Sequence, residues 1–465
     1  MKIFPDKCRH LNNFTLHTNE AGRFIFTETN KSLSEISSVE PHFLYDSGMA
    51  TFEDDDLGDH AFNYEKYVRT YIPDQLAYLI IIPTLRCNLT CSYCQVSRAA
   101  EGASGFDWTN NTYELFYKFL IDNASDSIKI EIQGGEPLLV FEDLKLMFER
   151  VSKIKEHVEF VICTNLQDLP SDFFEIMELY NISISSSLDG PPKIHERNRN
   201  NDFQGTQRFM KNLNSCQSIL GKDRISVLPT IPKFSEISNI TEYYREIGFS
   251  EIFLRPVNFQ GFARKKHKDS LDSAAAWLKS YLIELEKIFY QNNIKENKII
   301  EINFSIHLRK IFNSKNKSYV DFRSPNPVAK DYLVINYDGS FFPSDEARML
   351  HRIGVIDLSI GSLSAGYDCD KIATLNDAST LDRYDGCQVC AYKPFCGVDI
   401  VDHISRYGTA DVDILETSFC KYHMGLFDFI FANLREPTDI FLKNVSLHLS
   451  GNYEMSDLAS GRYYD

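Results

Sequence analysis

Three cysteines within eight residues constrain this chain more than any other feature. Cys87, Cys91 and Cys94 lie in the run Cys-Asn-Leu-Thr-Cys-Ser-Tyr-Cys, directly after an apolar stretch over residues 79–83. That stretch predicts a β-strand, so the thiols are expected on the loop at its carboxyl end. Three thiolates can hold three irons of a four-iron cluster and leave the fourth iron open to a small molecule. A structural zinc ion would need a fourth ligand, and no His or Cys lies close enough in the sequence to serve.

The composition excludes several classes of protein. The 465 residues are 43% apolar and 25% charged, which is typical of a soluble globular chain with two or three domains. A net charge of −16 argues against nucleic acid as a partner. The charge suits a basic peptide substrate, but solubility alone also explains it. No apolar stretch has transmembrane length and no secretory signal begins the chain, so we expect no membrane partner. Eleven cysteines in tight clusters predict reduced, metal-holding thiols and a cytoplasmic location.

The amino-terminal residues predict a small unit that is rich in β-structure. Residues 14–17 and 23–26 read as the strands of a hairpin, with a turn over 19–22. The unit is either a cap on the main domain or a module that binds a leader peptide as an extra strand. We expect four segments in all: 1–75 for this unit, 76–300 for the main domain, 301–430 for a second cysteine-bearing domain and 431–465 for a tail.

Strand and helix patterns alternate from residue 76 onward. Such alternation predicts an α/β fold with a parallel sheet and right-handed crossovers. Six repeats fit a partial (β/α)6 barrel of the TIM type. The predicted strands are 79–83, 128–132, 159–163, 182–186, 225–228 and 252–254.

Polar or glycine-rich residues follow each predicted strand. A barrel of this type carries its active site at the carboxyl ends of its strands, so these residues are expected to converge. Gly-Gly-Glu-Pro over 134–137 is most often only a turn when it stands alone. Six strand ends of similar character are harder to explain by turn chemistry.

Taken together, the cysteine spacing, the aromatic residue before the last cysteine and the later Gly-Gly-Glu-Pro resemble the radical S-adenosylmethionine (SAM) enzymes. The resemblance implies a 4Fe–4S cluster on Cys87, Cys91 and Cys94, with SAM bound to the open iron. It further implies reductive cleavage of SAM to a 5′-deoxyadenosyl radical, which abstracts a hydrogen from an unactivated carbon.

The same resemblance assigns the strand-end residues to the cofactor. Glycines let the backbone approach it, Glu136 accepts hydrogen bonds from its ammonium group, and Tyr93 lies beside the adenine. Arg199 pairs with the cofactor carboxylate. A structural ion pair is an equal alternative for Arg255. The expected cofactor-binding set is Tyr93, Gly134, Gly135, Glu136, Pro137, Thr164, Asn165, Ser187, Asp189, Arg199 and Arg255.

A second cysteine set follows a predicted hairpin with an Asp-Gly turn over residues 332–342. Its spacing is Cys-x2-Cys-x5-Cys with one later cysteine, and four thiolates of this kind can also hold zinc. The hairpin and the spacing resemble the SPASM or twitch-like extension of radical SAM peptide maturases, which carries auxiliary iron–sulfur clusters. The metal ligands expected here are Cys387, Cys390, Cys396 and Cys420.

The chain departs from that extension at one point. Cysteines that flank the hairpin in the family are absent, and Pro343-Ser344-Asp345 stands after the hairpin instead. We therefore expect one auxiliary 4Fe–4S cluster rather than two. Asp345 and Glu346 are candidates to touch the substrate or to take a proton, and a solvated turn is the equal alternative.

These features predict an enzyme that modifies a ribosomally made peptide or protein, with the auxiliary cluster oxidising the substrate radical as a cross-link or thioether forms. The narrower pattern resembles maturases of His-Xaa-Ser peptide systems. An electron donor such as flavodoxin or ferredoxin is the second expected partner. The alternatives are a sulfatase-activating enzyme, a small-molecule radical SAM enzyme and a non-catalytic metal-cluster scaffold.

Overall fold

The structure is a computed structural model that describes residues 1–29, 31–199, 201–266, 271–313, 319–449 and 463–464. It begins with an antiparallel sheet of three strands, β1 (Asp6–Leu11), β2 (Phe14–Asn19) and β3 (Phe24–Glu28). The hairpin predicted here is present, and its strands extend beyond the predicted limits. The short strand Tyr463–Tyr464 pairs in parallel with β3, so the carboxyl end of the chain reaches this sheet.

The amino-terminal sheet packs on the carboxyl-terminal part of the chain. Phe24 meets Phe431 edge-on, with ring centroids 5.1 Å apart. Arg9 forms two hydrogen bonds with Asp428, at 2.7 and 2.6 Å. Residues 1–75 therefore share a core with the later helices. The helices of this part are Leu33–Val39, Pro41–Asp46 and Asp56–Thr70.

A seven-stranded sheet forms the centre of the molecule. Its spatial order is β8-β7-β6-β5-β4-β9-β10, and every neighbouring pair is parallel except the last. The parallel sheet confirms the predicted α/β class. The strands are β4 (Leu76–Ile81), β5 (Ala124–Ile132), β6 (His157–Cys163), β7 (Ser183–Ser187), β8 (Ile225–Leu228), β9 (Tyr332–Ile335) and β10 (Phe341–Phe342).

Alternation along the strands separates a packed face from an open face. Leu79 and Ile81 of β4 are fully buried, whereas Tyr78 and Ile80 line a large cavity. Successive side chains of a strand point to opposite faces, so one face packs on the helices and the other forms the cavity wall. The helices that follow the barrel strands are Asn110–Asn123, Phe141–Ile154, Phe173–Leu179, Phe203–Leu220 and Ile237–Glu246, with Pro192–Arg199 inserted after β7.

The sixth predicted strand differs from expectation. Only Glu251–Ile252 is a strand, and it pairs with Ile300–Glu301 rather than with β8. The reason is a tertiary contact, because the Leu254 amide donates to the Glu301 carboxylate at 3.0 Å instead of to a neighbouring strand. On the opposite side, the predicted hairpin is present as β9 and β10 and extends the barrel sheet past β4.

Helices form most of the carboxyl-terminal part. Residues 431–465, expected to be a tail, are helical up to Arg435 and again over Asp439–His448; residues 450–462 lie outside the described part. In the described residues, no helix is both long and apolar enough to span a bilayer. The helices are Ala263–Lys266, Leu271–Ile294, Ile302–Phe312, Asp345–Arg352, Cys369–Asp377, Asp385–Gln388, Ile400–Tyr407, Ser418–Arg435 and Asp439–His448.

Candidate active site

A cavity of about 980 Å³ lies at the carboxyl ends of the parallel strands. One side is built from the strand ends and the other from the carboxyl-terminal helices. The site residues predicted from sequence that line the cavity are Gly134, Gly135, Thr164, Asn165, Ser187, Arg199, Arg255, Asp345 and Glu346. The structure therefore brings these nine residues to one cavity, and the roles assigned to them from the sequence stay predictions.

The three-cysteine loop leaves the barrel beside the cavity. Cys87 ends a two-residue strand that pairs in parallel with Ala99–Ala100, so the loop is closed at its base. Cys94 is buried, and its amide donates to the Cys91 carbonyl at 3.2 Å. Burial, with a smaller contribution from the neighbouring thiols, raises the pKa of Cys87 to about 12 and that of Cys94 in the same direction. Such thiols become thiolates only when a nearby positive charge compensates them, as a bound metal does.

Two backbone hydrogen bonds join the Gly-Gly-Glu-Pro segment to the base of that loop. The Gly135 amide donates to the Thr84 carbonyl at 3.0 Å, and the Glu136 amide donates to the Arg86 carbonyl at 2.8 Å. A β-carbon at Gly135 would lie 2.1 Å from the Arg86 carbonyl oxygen. The glycine is therefore required by the close approach of two backbone segments. An approach of the cofactor to this backbone stays a prediction.

Glu136 holds two strand ends together. Its carboxylate accepts hydrogen bonds from the Thr164 hydroxyl at 2.7 Å and from the amides of Asn165 and Leu138 at 2.7 and 3.1 Å. Burial raises its pKa to about 7, although these donors oppose the shift. The carboxylate therefore already accepts hydrogen bonds from three protein groups. Pro137 begins the short 3-10 helix that follows it. The predicted contact with an ammonium group remains untested.

A buried cluster behind the cavity wall joins the cysteine loop to β7. The Tyr93 hydroxyl donates to Asp189 at 2.5 Å, and the Thr230 amide donates to the same carboxylate at 3.1 Å. Arg199 Nε lies 3.5 Å from Asp189, and its Nη1 lies 3.7 Å from the Cys91 sulfur. Tyr93 and Asp189 thus position a cation beside the cysteine loop. Their predicted contacts with adenine and ribose stay predictions.

The remaining predicted strand-end residues also lie at the cavity. Asn165 Nδ2 donates to Asn88 at 2.8 Å and lies 3.8 Å from the Cys87 sulfur. Arg255 packs over Phe253, with its guanidinium carbon 5.6 Å from the ring centre. Ser187 ends β7 at the cavity wall.

Asp345 and Glu346 begin a helix that Ser344 caps. Asp345 accepts a hydrogen bond from the buried Arg348 at 2.7 Å, and Glu346 accepts one from Asn258 at 3.0 Å. Both acids face the cavity, as expected for substrate contact, but Asp345 is already paired. Whether either takes a proton in the reaction stays a prediction.

Sequence reasoning missed two further acids in the cavity wall. Asp399 and Asp402 lie at the start of the helix Ile400–Tyr407. Burial first, and the neighbouring Glu346 in addition, raise the pKa of Asp399 to about 6. The Asp-Ile-Val-Asp spacing soon after Cys396 was the available signal, since helical residues three apart share a face.

The second cysteine set comes together in the folded chain. Burial raises the pKa of Cys396, and the thiols of Cys390, Cys420 and Cys387 raise it further, so the four sulfurs lie within electrostatic reach of one another. Cys420 lies on the helix Ser418–Arg435, whose residues Ser418 and Phe419 line the cavity. Among the described residues, no group of three or more His, Cys, Asp or Glu is arranged to hold a metal ion. Both cysteine assignments therefore remain predictions about the metal-loaded protein.

The residues nevertheless fit a cluster with a bound cofactor that carries a carboxylate. Cys87 and Cys94, whose pKa values are raised by burial, and the nearby Cys91 are a donor set that a metal would complete. Arg199 Nε and Arg255 Nε are buried and have no hydrogen-bond acceptor among the described residues. Both arginines line the cavity, where a carboxylate would satisfy them.

Comparison with known proteins agrees with this geometry. Residues 81–259 match the model of the Radical SAM superfamily. A cysteine-type anaerobic sulfatase-maturating enzyme of Clostridium novyi is 24% identical over 344 residues, which is 69% of this chain and 86% of that protein. An uncharacterized protein of Methanothermobacter thermautotrophicus is 33% identical over 132 residues, 27% of this chain; the match spans only 48% of that relative.

Two solved structures share the fold. Native anSMEcpe with bound AdoMet has a TM-score of 0.61 at 17% identity, covering 81% of this chain and 100% of that one. Streptococcus suis SuiB bound to precursor peptide SuiA has a TM-score of 0.52 at 15% identity, covering 90% and 100%. Residues 81–259 therefore form a radical SAM domain, and the fold that the chain shares with these two structures continues beyond that domain.

Proposed function

We propose that this radical SAM protein modifies a peptide or protein substrate by abstracting a hydrogen atom from it. A single observation carries the proposal. The cavity of about 980 Å³ is lined both by the strand ends beside Cys87–Cys94 and by the helix that bears Cys420. A cavity of this size, lined by segments that adjoin the two cysteine sets, suits a cofactor together with one residue of a polypeptide.

Membership of the superfamily implies a four-iron cluster and SAM. Cys87, Cys91 and Cys94 would hold the cluster, and Arg199 and Arg255 would bind the cofactor carboxylate. When bound and reduced by one electron, this group supplies a 5′-deoxyadenosyl radical that can remove a hydrogen from an unactivated carbon. Cys387, Cys390, Cys396 and Cys420 would hold the auxiliary cluster, to which an electron from the substrate could pass.

The chain's own residues orient the reactants and exclude water. Buried Asp189 keeps Arg199 in place beside Cys91, and Glu136 fixes the strand end that carries Thr164. Polar side chains on the extension side, Glu346 and Asp402 among them, can accept hydrogen bonds from the substrate backbone. The peptide partner is supported by the SuiB structure, whose own bound molecule is the precursor peptide SuiA. An electron donor such as flavodoxin or ferredoxin completes the proposal.

A sulfatase-maturating activity is the second candidate. The observation that favours it is the alignment of 344 residues with the Clostridium novyi enzyme. Under this reading the substrate is a sulfatase whose cysteine is oxidised, and no cross-link forms.

Anaerobically reconstituted protein tests the common step. Dithionite and SAM should release 5′-deoxyadenosine from the wild type, and Cys91→Ala should lower that release at least 100-fold because an iron ligand is lost. Cys216→Ala, which removes a buried thiol of the helix Phe203–Leu220, is the matched control and should retain release. Equal release from wild type and Cys91→Ala would contradict the proposal.

Mass spectrometry of a co-expressed substrate separates the two candidates. A small peptide encoded beside the gene should lose two hydrogens or form a cross-link if the chain is a peptide maturase. A sulfatase peptide should be oxidised at its cysteine or serine if the second candidate holds.

A further inference from the structure

One wall of the cavity is aromatic. The helix Ser418–Arg435 contributes Phe419, Tyr422 and His423, and Phe322 and Trp277 complete the wall. Phe322 stacks on His423, with centroids 4.2 Å apart and an angle of 17°. Phe419 packs against the same imidazole at 4.3 Å. This set is termed the aromatic wall, and none of its residues has a role in the steps described above.

Hydrogen bonds of the pair His307 and His423 determine which nitrogen of each imidazole carries the proton. His307 Nδ1 lies 2.8 Å from the Asn303 carbonyl oxygen, and His307 Nε2 lies 2.9 Å from His423 Nδ1. A carbonyl oxygen only accepts, so His307 carries its proton on Nδ1 and a lone pair on Nε2. His423 must then donate from Nδ1, which leaves the lone pair on its own Nε2; this tautomer follows from the hydrogen-bond network.

Both imidazoles are neutral. Burial lowers the pKa of His307 to about 4, and it lowers the pKa of His423 in the same direction, with a further contribution from His307. Nε2 of His423, the acceptor that remains in the pair, therefore keeps its lone pair at neutral pH. Among the described residues, the hydrogen bond of this imidazole is the one from Nδ1 to His307.

We infer that His423 contacts the substrate and accepts a hydrogen bond at Nε2 from an aromatic side chain that carries an O–H or N–H group. The flat ring of a phenol or an indole would pack on the aromatic wall while its polar hydrogen reaches the imidazole. A small aliphatic hydroxyl would leave most of the wall uncovered. The inference rests on the proposed peptide-modifying function, since it assigns a residue class to the same cavity.

Two small probes of nearly equal shape test this contact. p-Cresol carries a phenolic hydroxyl, and 4-fluorotoluene replaces it with fluorine, which cannot donate. Equilibrium dialysis against the reconstituted full-length protein should show p-cresol binding about 5-fold more tightly, as expected for one hydrogen bond to a neutral acceptor. In His423→Phe the ratio of the two affinities should fall to about 1. His60→Phe, an exposed position on the helix Asp56–Thr70, should keep the wild-type ratio.

Equal affinity of the two probes for the wild type would overturn the inference, and this comparison needs no variant. An unchanged ratio in His423→Phe would overturn it as well. Dialysis requires no cleavage of SAM, so the two proposals fail separately. A wild type that releases no 5′-deoxyadenosine but prefers p-cresol through His423 would refute the proposed function alone.

Discussion

Gly135→Ala tests whether the glycine pair serves the backbone of the cysteine loop. An added methyl group would lie 2.1 Å from the Arg86 carbonyl oxygen and 2.4 Å from that of Leu85. Both neighbours are backbone atoms, so the two segments must separate. Their separation breaks the hydrogen bonds from Gly135 and Glu136 to residues 84 and 86, each worth about 1 kcal/mol. With the strain of the displaced backbone, we expect a loss of about 2–4 kcal/mol in the free energy of unfolding.

The same change should weaken the binding of iron. Arg86 directly precedes Cys87, so moving its carbonyl displaces the first predicted ligand. Urea denaturation gives the free energy of unfolding, and iron analysis after anaerobic reconstitution gives the occupancy of the first cysteine set. We expect the variant to lose more iron than its stability alone would explain at a temperature where it remains folded.

Gly102→Ala is the matched control, because a β-carbon there meets no atom within 4 Å. It should be neutral or slightly stabilised, since alanine restricts the unfolded chain. The reasoning fails if Gly135→Ala unfolds within about 0.5 kcal/mol of this control and binds iron equally well. In that case the glycines would not be needed for the packing described here.

Two further changes test the buried carboxylate and the second cysteine set. Burial raises the pKa of Glu301 to about 7, so folded protein keeps a proton that the unfolded chain releases above its usual value of 4.5. The wild-type free energy of unfolding should therefore increase by roughly 3 kcal/mol relative to that of Glu301→Gln as the pH falls from about 7.5 to 4.5. Urea denaturation measures this difference, and the exposed control Glu246→Gln should follow the wild type. Equal dependence of the unfolding free energy on pH in all three proteins would refute the raised pKa. Cys396→Ala should remove about four irons per chain, as measured by iron analysis. The cluster on Cys87, Cys91 and Cys94 should persist, so the variant should still release 5′-deoxyadenosine. Zinc in place of those four irons in the wild type would contradict an auxiliary iron–sulfur cluster.

Local sequence patterns predicted most strands of the central sheet. The strands from β4 to β8 were visible because apolar runs of strand length alternate with helical patterns. Convergence of Gly135, Thr164 and Arg199 followed from topology alone, since the carboxyl ends of parallel strands meet at one edge.

Tertiary packing decided the features that sequence reasoning missed. The strand expected at 252–254 is short because the Leu254 amide is satisfied by the carboxylate of Glu301, 47 residues away. His423, Phe322 and Trp277 belong to three separate segments with no shared motif, so only the folded chain brings them together. The sequence assigned Glu136 and Asp189 to the cofactor, which stays a prediction, and their partners in the structure are set by the approach of distant strand ends.

The two sides of the cavity differ in the hydrogen-bonding groups that they present. On the barrel side, Glu136 and Asp189 accept hydrogen bonds from protein donors. Among the described residues that line the cavity, the buried Nε groups of Arg199 and Arg255 have no hydrogen-bond acceptor. That side therefore favours an anionic group such as a carboxylate. On the extension side, acids and the Nε2 atom of His423 present acceptors instead. A ligand with a carboxylate at one end and a second ligand with polar hydrogens satisfy both sides at once, which is the arrangement that a cofactor facing a polypeptide substrate would require.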